Sequence, residues 1–252
     1  MDEITLIEEL AANAVPAAVS QELDGWRLRF NLGVTRRANS VLAAREGGVL
    51  SLEARLAEAE AFYGRRGALA RFQLCPASQP ASLDAELAAR GYSASAPTLV
   101  QTGYLDPMLK AAVGMARVTE QFDEAWLAAY VEGEGETSPV KIAARREMLQ
   151  RIGPPAGFAA VAVDGALAAV ALGVVERGWL GIFSVATRPA FRGRGLAAVA
   201  LGDLAAWAQA RGANRAYLQV FSANAPALRL YERLGFTTRY QYWYRERQLA
   251  TG

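Results

Sequence analysis

The sequence predicts an α/β protein of two tandem units, each a mixed, mainly antiparallel sheet flanked by helices. Three observations point to this. Strand-like and helix-like patterns alternate along the 252 residues. In the second half, three β-favouring runs follow one another through short turns. One turn is Asp164-Gly165, a pair suited to the type I′ turn, whose two central residues take positive φ. The two halves also end alike. Ser82-Leu-Asp-Ala-Glu-Leu-Ala-Ala-Arg-Gly-Tyr resembles Ala227-Leu-Arg-Leu-Tyr-Glu-Arg-Leu-Gly-Phe: a helix, then Gly, an aromatic and a strand. A similar strand precedes each, Arg71-Phe-Gln-Leu and Tyr217-Leu-Gln-Val. Such self-similarity indicates a repeated unit. The junction is expected near Asp106-Pro107, giving units over 1–106 and 107–252.

Ile4, Ile7, Leu10 and Ala11 predict a helix over Ile4–Ala14. Trp26, Leu28 and Phe30 alternate with Arg27 and Arg29, which reads as a strand with one polar face. A second strand is expected over Thr35–Leu42. Within it Arg36-Arg37-Ala38-Asn39-Ser40 is unusually polar; it reads as an ordinary exposed face or as a wall of an acceptor channel. Ser51 caps a helix to Gly64, and Leu69–Leu74 is a strand. Ser82 is expected to cap a helix ending at Arg90, with Asp84 and Glu86 placed to suit the helix dipole. Ala96–Tyr104 is the next strand. Helices are expected over Glu120–Glu132 and Val140–Arg151, joined by a flexible acidic loop. Three antiparallel strands follow, Gly157–Val163, Ala166–Val175 and Trp179–Val185. Then come a helix over Gly195–Arg211, a strand over Ala216–Phe221, a helix over Ala225–Leu234 and a closing strand over Phe236–Tyr244.

Composition narrows the chemistry. Lys and Arg total 27 and Asp and Glu 25, a net charge of +2, so neither an acidic tail nor a histone-like basic protein is described. The chain has no His, which excludes His-dependent triads and His-containing zinc sites. Its one Cys, Cys75, allows neither an intrachain disulfide nor a Cys cluster, so no metal is expected. A disulfide-free chain suits the cytoplasm. The start Met1-Asp2-Glu3 lacks the basic region of a signal peptide. The most apolar stretch, Phe158–Val175, is interrupted by Asp164-Gly165, short of the ~20 apolar residues a membrane span needs. No basic stripe with interleaved aromatics argues for nucleic acid.

The informative stretch is Phe183–Leu201. A strand runs into a turn holding Arg192, Gly193, Arg194 and Gly195, then into a helix beginning Leu196-Ala197. First-turn amides of a helix are unpaired and sit at the positive end of its dipole. Glycines allow close backbone approach, and arginines add charge, so the turn can cradle a diphosphate. Taken alone it also reads as a Gly-rich turn with solvated arginines. It is neither a Walker A loop nor the Rossmann fingerprint.

With its neighbours this stretch resembles the GNAT superfamily of acyl-CoA-dependent N-acetyltransferases across about residues 117–247. The family's diphosphate motif, Arg/Gln-x-x-Gly-x-Gly/Ala, is matched by Arg192, Gly195 and Ala197. The strand Ile182–Thr187 leads into it. Downstream stand the strand Leu218–Phe221, Asn224, Tyr231 and Gly235-Phe236, in the family's order and spacing.

The resemblance implies roles. The backbone of Val185, Ala186 and Thr187 would line the acyl-pantetheine arm. Arg192 through Ala197 would hold the diphosphate. Asn224 would bond the pantetheine, and Tyr231 would be the general acid for the leaving thiolate. On the residue pattern alone, Tyr231 reads as a core aromatic of an amphipathic helix, packing with Leu228 and Leu234; the resemblance is what favours the acid role. Some members carry Glu on the strand before the Asn; here Gln219 stands there and cannot accept a proton. Glu176, or Glu132, Glu134 and Glu136 acting through water, could replace it, and each also reads as a solvated surface carboxylate.

In the family the loop between the first two helices helps form the acceptor site, and the glutamates here would attract a cationic amine. The first half has no such cradle at Ala43–Ser51 and looks like a degenerate copy that no longer binds CoA, walling one side of the substrate site and dimerising. The expected function is transfer of an acetyl group from acetyl-CoA to a small-molecule or peptide primary amine. The rival readings are another acyl group or acceptor, and a non-catalytic CoA-binding sensor.

Overall fold

The computed structural model describes residues 2–249. These fall into two compact units, residues 2–98 with 240–249, and residues 99–239. The sequence junction at Asp106-Pro107 lies inside the second unit, because Leu105–Leu109 folds as a helix. Met1 and residues 250–252, the outer ends of the two expected spans, lie outside the described residues.

Unit 1 holds α1 (Glu3–Ala14), β1 (Val19–Leu23), β2 (Trp26–Phe30), β3 (Val41–Leu42), α2 (Leu52–Gly64), β4 (Ala70–Leu74) and α3 (Leu83–Ala89). Next, β5 (Ser93–Tyr104) carries the chain into unit 2. There follow α4 (Leu105–Leu109), β6 (Ala116–Thr119), α5 (Glu124–Glu134), α6 (Pro139–Gln150), β7 (Ala156–Val163), β8 (Ala166–Glu176), β9 (Trp179–Thr187), α7 (Leu196–Gln209), β10 (Arg215–Phe221) and α8 (Ala225–Arg233). Finally β11 (Thr237–Arg247) returns to unit 1.

The strand order is β1-β2-β3-β4-β11 in unit 1 and β5-β10-β9-β8-β7-β6 in unit 2. In each unit, four strands run antiparallel, antiparallel and then parallel. A helix sits between the parallel pair, α2 in unit 1 and α7 in unit 2. The repeat seen in the sequence is therefore a repeat of topology. The expected α/β architecture with mainly antiparallel pairing is the one observed.

In unit 2, α7 covers the sheet with Ala200, Leu201, Leu204, Ala205 and Ala208, all fully buried and spaced on one helix face. Asp203 on the same helix holds the segment before β6. Its Oδ1 accepts from the amides of Val113 (3.0 Å) and Gly114 (2.8 Å), and its Oδ2 from Ala116 (2.7 Å). The core of unit 1 gathers Trp26, Leu28, Phe62, Tyr63 and Phe72.

Several sequence expectations need correction in unit 1. Thr35–Leu42 is not a strand. Thr35 has φ +53, Arg37–Asn39 is a 3-10 turn, and only Val41–Leu42 pairs. The segment folds around the Asn39 side chain. Its Oδ1 accepts from Asn31 N (2.8 Å) and Gly33 N (3.1 Å), and its Nδ2 donates to the carbonyls of Val34 and Thr35. Ser82 has helical φ and ψ and makes no capping bond. The pattern also missed β1, α4 and β6, all short.

Arg29 does not lie on a solvated face; it is buried. Its Nη2 donates to Gln73 Oε1 (2.9 Å) and Ser40 Oγ (3.0 Å). Gln73 Nε2 passes the chain on to Glu8 Oε2 (2.6 Å), and Tyr240 donates its hydroxyl to Glu8 Oε1 (2.6 Å). A buried charge is tolerated only when so partnered. Burial still pushes the Glu8 carboxyl above its ordinary value.

Tyr240→Phe keeps the ring and strips Glu8 of one donor. Leaving a buried acceptor short costs about 1–3 kcal/mol. Denaturant unfolding of the full chain is expected to show a loss of that size, with turnover unchanged.

Candidate active site

The site begins with two strands that part. β9 and β10 pair in parallel only from Trp179/Arg215 to Ile182/Leu218. Past that point β9 continues from Ser184 to Thr187 without β10 as its neighbour. On its other edge the register to β8 shifts: Leu172 faces Phe183, and Val170 faces Ala186. Ser184 takes φ +48 within this bulge. A bulge bends the strand and re-aims its groups. Val185 and Thr187 are half-buried and Ala186 is buried.

The chain then turns through Pro189–Phe191 into α7. Gly193 has φ +77 and Gly195 φ +75, the left-handed conformation that favours glycine. Gly195 caps α7 with no side-chain hydrogen bond, so the first-turn amides are open. A Cβ built on either glycine would meet nothing within 4 Å. Arg192, Gly193, Arg194 and Gly195 are exposed, Leu196 is buried and Ala197 half-buried.

The arginines of the turn are organised. Arg188 Nε donates to Glu132 Oε2 (2.8 Å) and its Nη1 to Leu167 O (3.1 Å). Arg192 donates to two carbonyls, Thr187 O (3.2 Å) and Gly133 O (2.9 Å). It thus braces the turn against the end of α5. Arg194 lies 5.9 Å from the Phe191 ring centre.

That end of α5 was read from sequence as flexible loop. Instead Glu132, Gly133 and Glu134 are helical, and the helix stops at Gly135 in the left-handed conformation. Gly133 permits the close approach of α5 to β9: a Cβ there would fall 2.8 Å from the Ala186 Cβ. The sequence offered one signal for this, a Gly one residue before the helix end.

The candidate bases now separate. Glu132 is paired with Arg188. Glu136 accepts from the amides of Thr137 (3.1 Å) and Ser138 (3.0 Å) and lies 3.5 Å from Lys141. Those amides, then the Lys141 charge, hold its carboxyl below the usual range. Glu176 sits at the far end of β8, 3.3 Å from Arg177. Glu134 is exposed and has no hydrogen-bond partner among the described residues.

Its charge is felt by Tyr231. That residue is 8% exposed on α8, with its ring centre 6.0 Å from that of Phe236. Its hydroxyl makes no hydrogen bond among the described residues. Burial, and then the Glu134 charge, push the phenol up to about 12. Asn224 heads α8 and accepts from Ala227 N (3.2 Å) through Oδ1. Gln219 is half-buried on β10.

The geometry therefore joins an open, arginine-flanked helix start to an unpaired strand edge. A neutral phenol and a carboxylate accompany them. No group of His, Cys, Asp and Glu able to hold a metal occurs among the described residues. No helix among them is long and apolar enough to cross a membrane.

Comparison with known proteins gives the family and the fold. The family described as "Probable histone acetyltransferase Rv0428c C-terminal" matches residues 2–245. The chain is 30% identical over 251 residues to the uncharacterized N-acetyltransferase YobR of Bacillus subtilis, covering 97% of this chain and 99% of that one. It is 39% identical over 82 residues to a streptothricin acetyltransferase of Streptomyces lavendulae, 31% of this chain and 43% of that one. Among solved structures, a GCN5-related N-acetyltransferase from Kribbella flavida shares the fold with a TM-score of 0.68 at 16% identity, covering 99% of this chain and 97% of that one. A tandem GNAT protein from the clavulanic acid biosynthesis pathway does so with a TM-score of 0.65 at 15% identity, covering 98% and 88%. With a family match over nearly its whole length and a full-length N-acetyltransferase relative, this chain belongs to the GNAT superfamily of N-acetyltransferases.

Proposed function

We propose that the chain moves an acetyl group from acetyl-CoA to a primary amine by direct attack, and that unit 2 does this alone. The observation that carries the reading is the open start of α7 beside the unpaired edge of β9. Bound there, acetyl-CoA supplies an activated thioester. The amides of Gly193, Gly195, Leu196 and Ala197, with the charges of Arg192 and Arg194, hold its diphosphate. Backbone groups of Val185, Ala186 and Thr187 line the acyl arm, much as one more strand would. The amide NH near Val185 stabilises the oxyanion. Asn224 orients the pantetheine.

Two side chains move protons. A lysine-type amine has a pKa of about 10.4 and must lose a proton before it attacks. Glu134 takes that proton through water, because its carboxylate is the one candidate base not already committed to a cation or to amides. Tyr231 gives its hydroxyl proton to the departing thiolate. Its raised pKa keeps that proton in place across the working range. The same carboxylate draws a cationic amine toward the acyl carbon. An amine small molecule is the favoured acceptor, in keeping with the streptothricin acetyltransferase relative, and a peptide amine is the alternative. Unit 1 has no counterpart of the open turn and carries no acetyl-CoA.

Gly195→Glu puts a carboxylate at the open turn and forces a non-glycine residue to φ +75. Calorimetry is expected to show at least ~10-fold weaker CoA binding, about 1.4 kcal/mol, in a folded chain. Unchanged affinity would contradict the assignment of α7.

Tyr231→Phe keeps the packing against Phe236 and removes the proton donor. A general acid contributes typically ~10²–10⁴-fold, and water replaces part of that. Thiol release from acetyl-CoA over an amine panel is expected to slow by at least ~10-fold, with the Kd for CoA unchanged. With the wild type, kcat/KM rises with pH as the amine deprotonates. No falling limb from Tyr231 appears below about 11, because a phenol raised to about 12 is still protonated there. Wild-type turnover in folded Tyr231→Phe would make this residue a core tyrosine.

A further inference from the structure

Cross-strand partners fix which residues of unit 2 share a face of the sheet. Phe158 on β7 stands opposite Leu172 on β8, and Leu172 opposite Phe183 on β9. Residues directly opposite each other point to one face. α5 lies on that face: the Trp126 ring centre is 5.2 Å from that of Phe158, and its Nε1 donates to Ala159 O (3.0 Å). Tyr217 on β10 stands opposite Gly181, two residues before Phe183, and its ring centre is 5.9 Å from that of Phe183. It therefore joins the α5 face. Side chains alternate along a strand. Ala216, Leu218 and Val220 go to the other face, in the core with α7 and α8. Gln219 and Phe221 follow Tyr217 on the α5 face.

Burial ends abruptly along this row. Trp126, Phe158, Phe183 and Tyr217 are buried, whereas Phe221 is 51% exposed. Its position gives the exposure a meaning. The last pair of β9 and β10 is Ile182 with Leu218. Phe221 stands three residues beyond it on β10, as Val185 does on β9. At ~3.3 Å per residue, each strand has run about 10 Å past the parting. The ring is thus at the mouth of the gap, on the lip that faces β9.

The opposite lip carries charge. Ala186 stands opposite Val170, two residues along β8 from Leu172, so it too lies on the α5 face. The end of α5 rests on it: a Cβ on Gly133 would fall 2.8 Å from the Ala186 Cβ. Glu134 follows as the last residue of the helix, exposed and without a hydrogen-bond partner among the described residues. The α5 side of the gap therefore has a carboxylate on one lip and an apolar ring on the other. An amine whose charged head is borne on an apolar stem complements both. Its head meets the carboxylate, and its stem covers the ring and removes apolar surface from water. A stem of hydroxyls would lose water against the ring and gain no partner there.

We propose that Phe221 is the residue that selects the acceptor, favouring primary amines on an alkyl or aryl stem over amines on a hydroxylated one. The inference rests on the acetyl-transfer reading of unit 2 and names the class of amine it serves.

The test measures thiol release from acetyl-CoA by the full-length chain with hexylamine, phenethylamine, ethanolamine and glucosamine. The wild type is expected to have the higher kcat/KM with the first two. Phe221→Ala is expected to raise KM for hexylamine and phenethylamine at least ~10-fold with kcat kept, the mark of lost binding shared by ground and transition states. KM for ethanolamine and glucosamine, and the Kd for acetyl-CoA, are expected to stay. Phe221→Leu, which keeps an apolar side chain, is expected to restore hexylamine. Unchanged kinetics with all four amines in folded Phe221→Ala overturns the proposal. So does an equal loss with all four, or a weaker Kd for acetyl-CoA, since the ring would then serve the strand or the cofactor. Should the wild type release no thiol with any amine while binding acetyl-CoA, the transfer reading fails instead. Phe221 is then judged by calorimetry of hexylamine into CoA-saturated chains: tighter binding by the wild type than by Phe221→Ala upholds the selection, and equal binding or none overturns it.

Discussion

The site depends on the parting of two parallel strands. β9 and β10 stay together for four residue pairs and separate after Ile182 and Leu218. Had they stayed paired, the edge of β9 from Ser184 to Thr187 would be spent on the sheet. The bulge at Ser184 turns that edge while β8 still holds the strand from the other side. The turn into α7 starts where the bulged strand ends. The helix is anchored by its fully buried alanine and leucine face, so its open amides keep a fixed place. Gly133 lets α5 rest directly on the same strand end, and Arg192 ties the two with carbonyl contacts. A strand edge, a helix start and a helix end meet because β10 does not follow β9.

Charge is distributed to match. Arginines gather at the turn before α7, and the acids gather at the end of α5. Two of those acids are spent locally, one on Arg188 and one on amides and Lys141. Glu134 is left beside a phenol kept neutral by burial. A base on the strand, where Gln219 stands, is therefore not needed for the proposed chemistry. The base would come from the helix that borders the acceptor.

Much of this was legible in the sequence, for physical reasons. Long helices with one apolar face, such as α2 and α7, announce themselves through their period, and α2 also through its Ser51 cap. The β7–β8 hairpin does so through Asp164-Gly165, whose φ values of +51 and +79 are those the turn requires. The glycine turn was readable because positive φ at Gly193 and Gly195 leaves a compositional mark. Elements set by distant contacts were not readable. Arg29 alternates like a solvent-facing residue, and only the fold brings Gln73 and Ser40 to it. Thr35–Leu42 reads as a strand only at its ends, Thr35 and Val41-Leu42, and Asn39 gathers the backbone between them into a loop. Residues 240–249 follow unit 2 in sequence and yet complete unit 1, where Trp243–Arg247 pairs with Ala70–Leu74. No local pattern encodes that exchange.

The two units share a topology and differ in what fills it. In unit 2 the helix start is open and the strands part. In unit 1 the Asp24 carboxylate accepts from the amides of the loop before α2, and Gln79 N donates to Ala43 O just past the β3–β4 pairing. The central claim is that one acetyl-transfer site exists per chain and lies in unit 2. Equilibrium titration of the wild-type chain with acetyl-CoA tests it most directly. One molecule bound per chain is the expected result; two equivalent sites, or none, would contradict it.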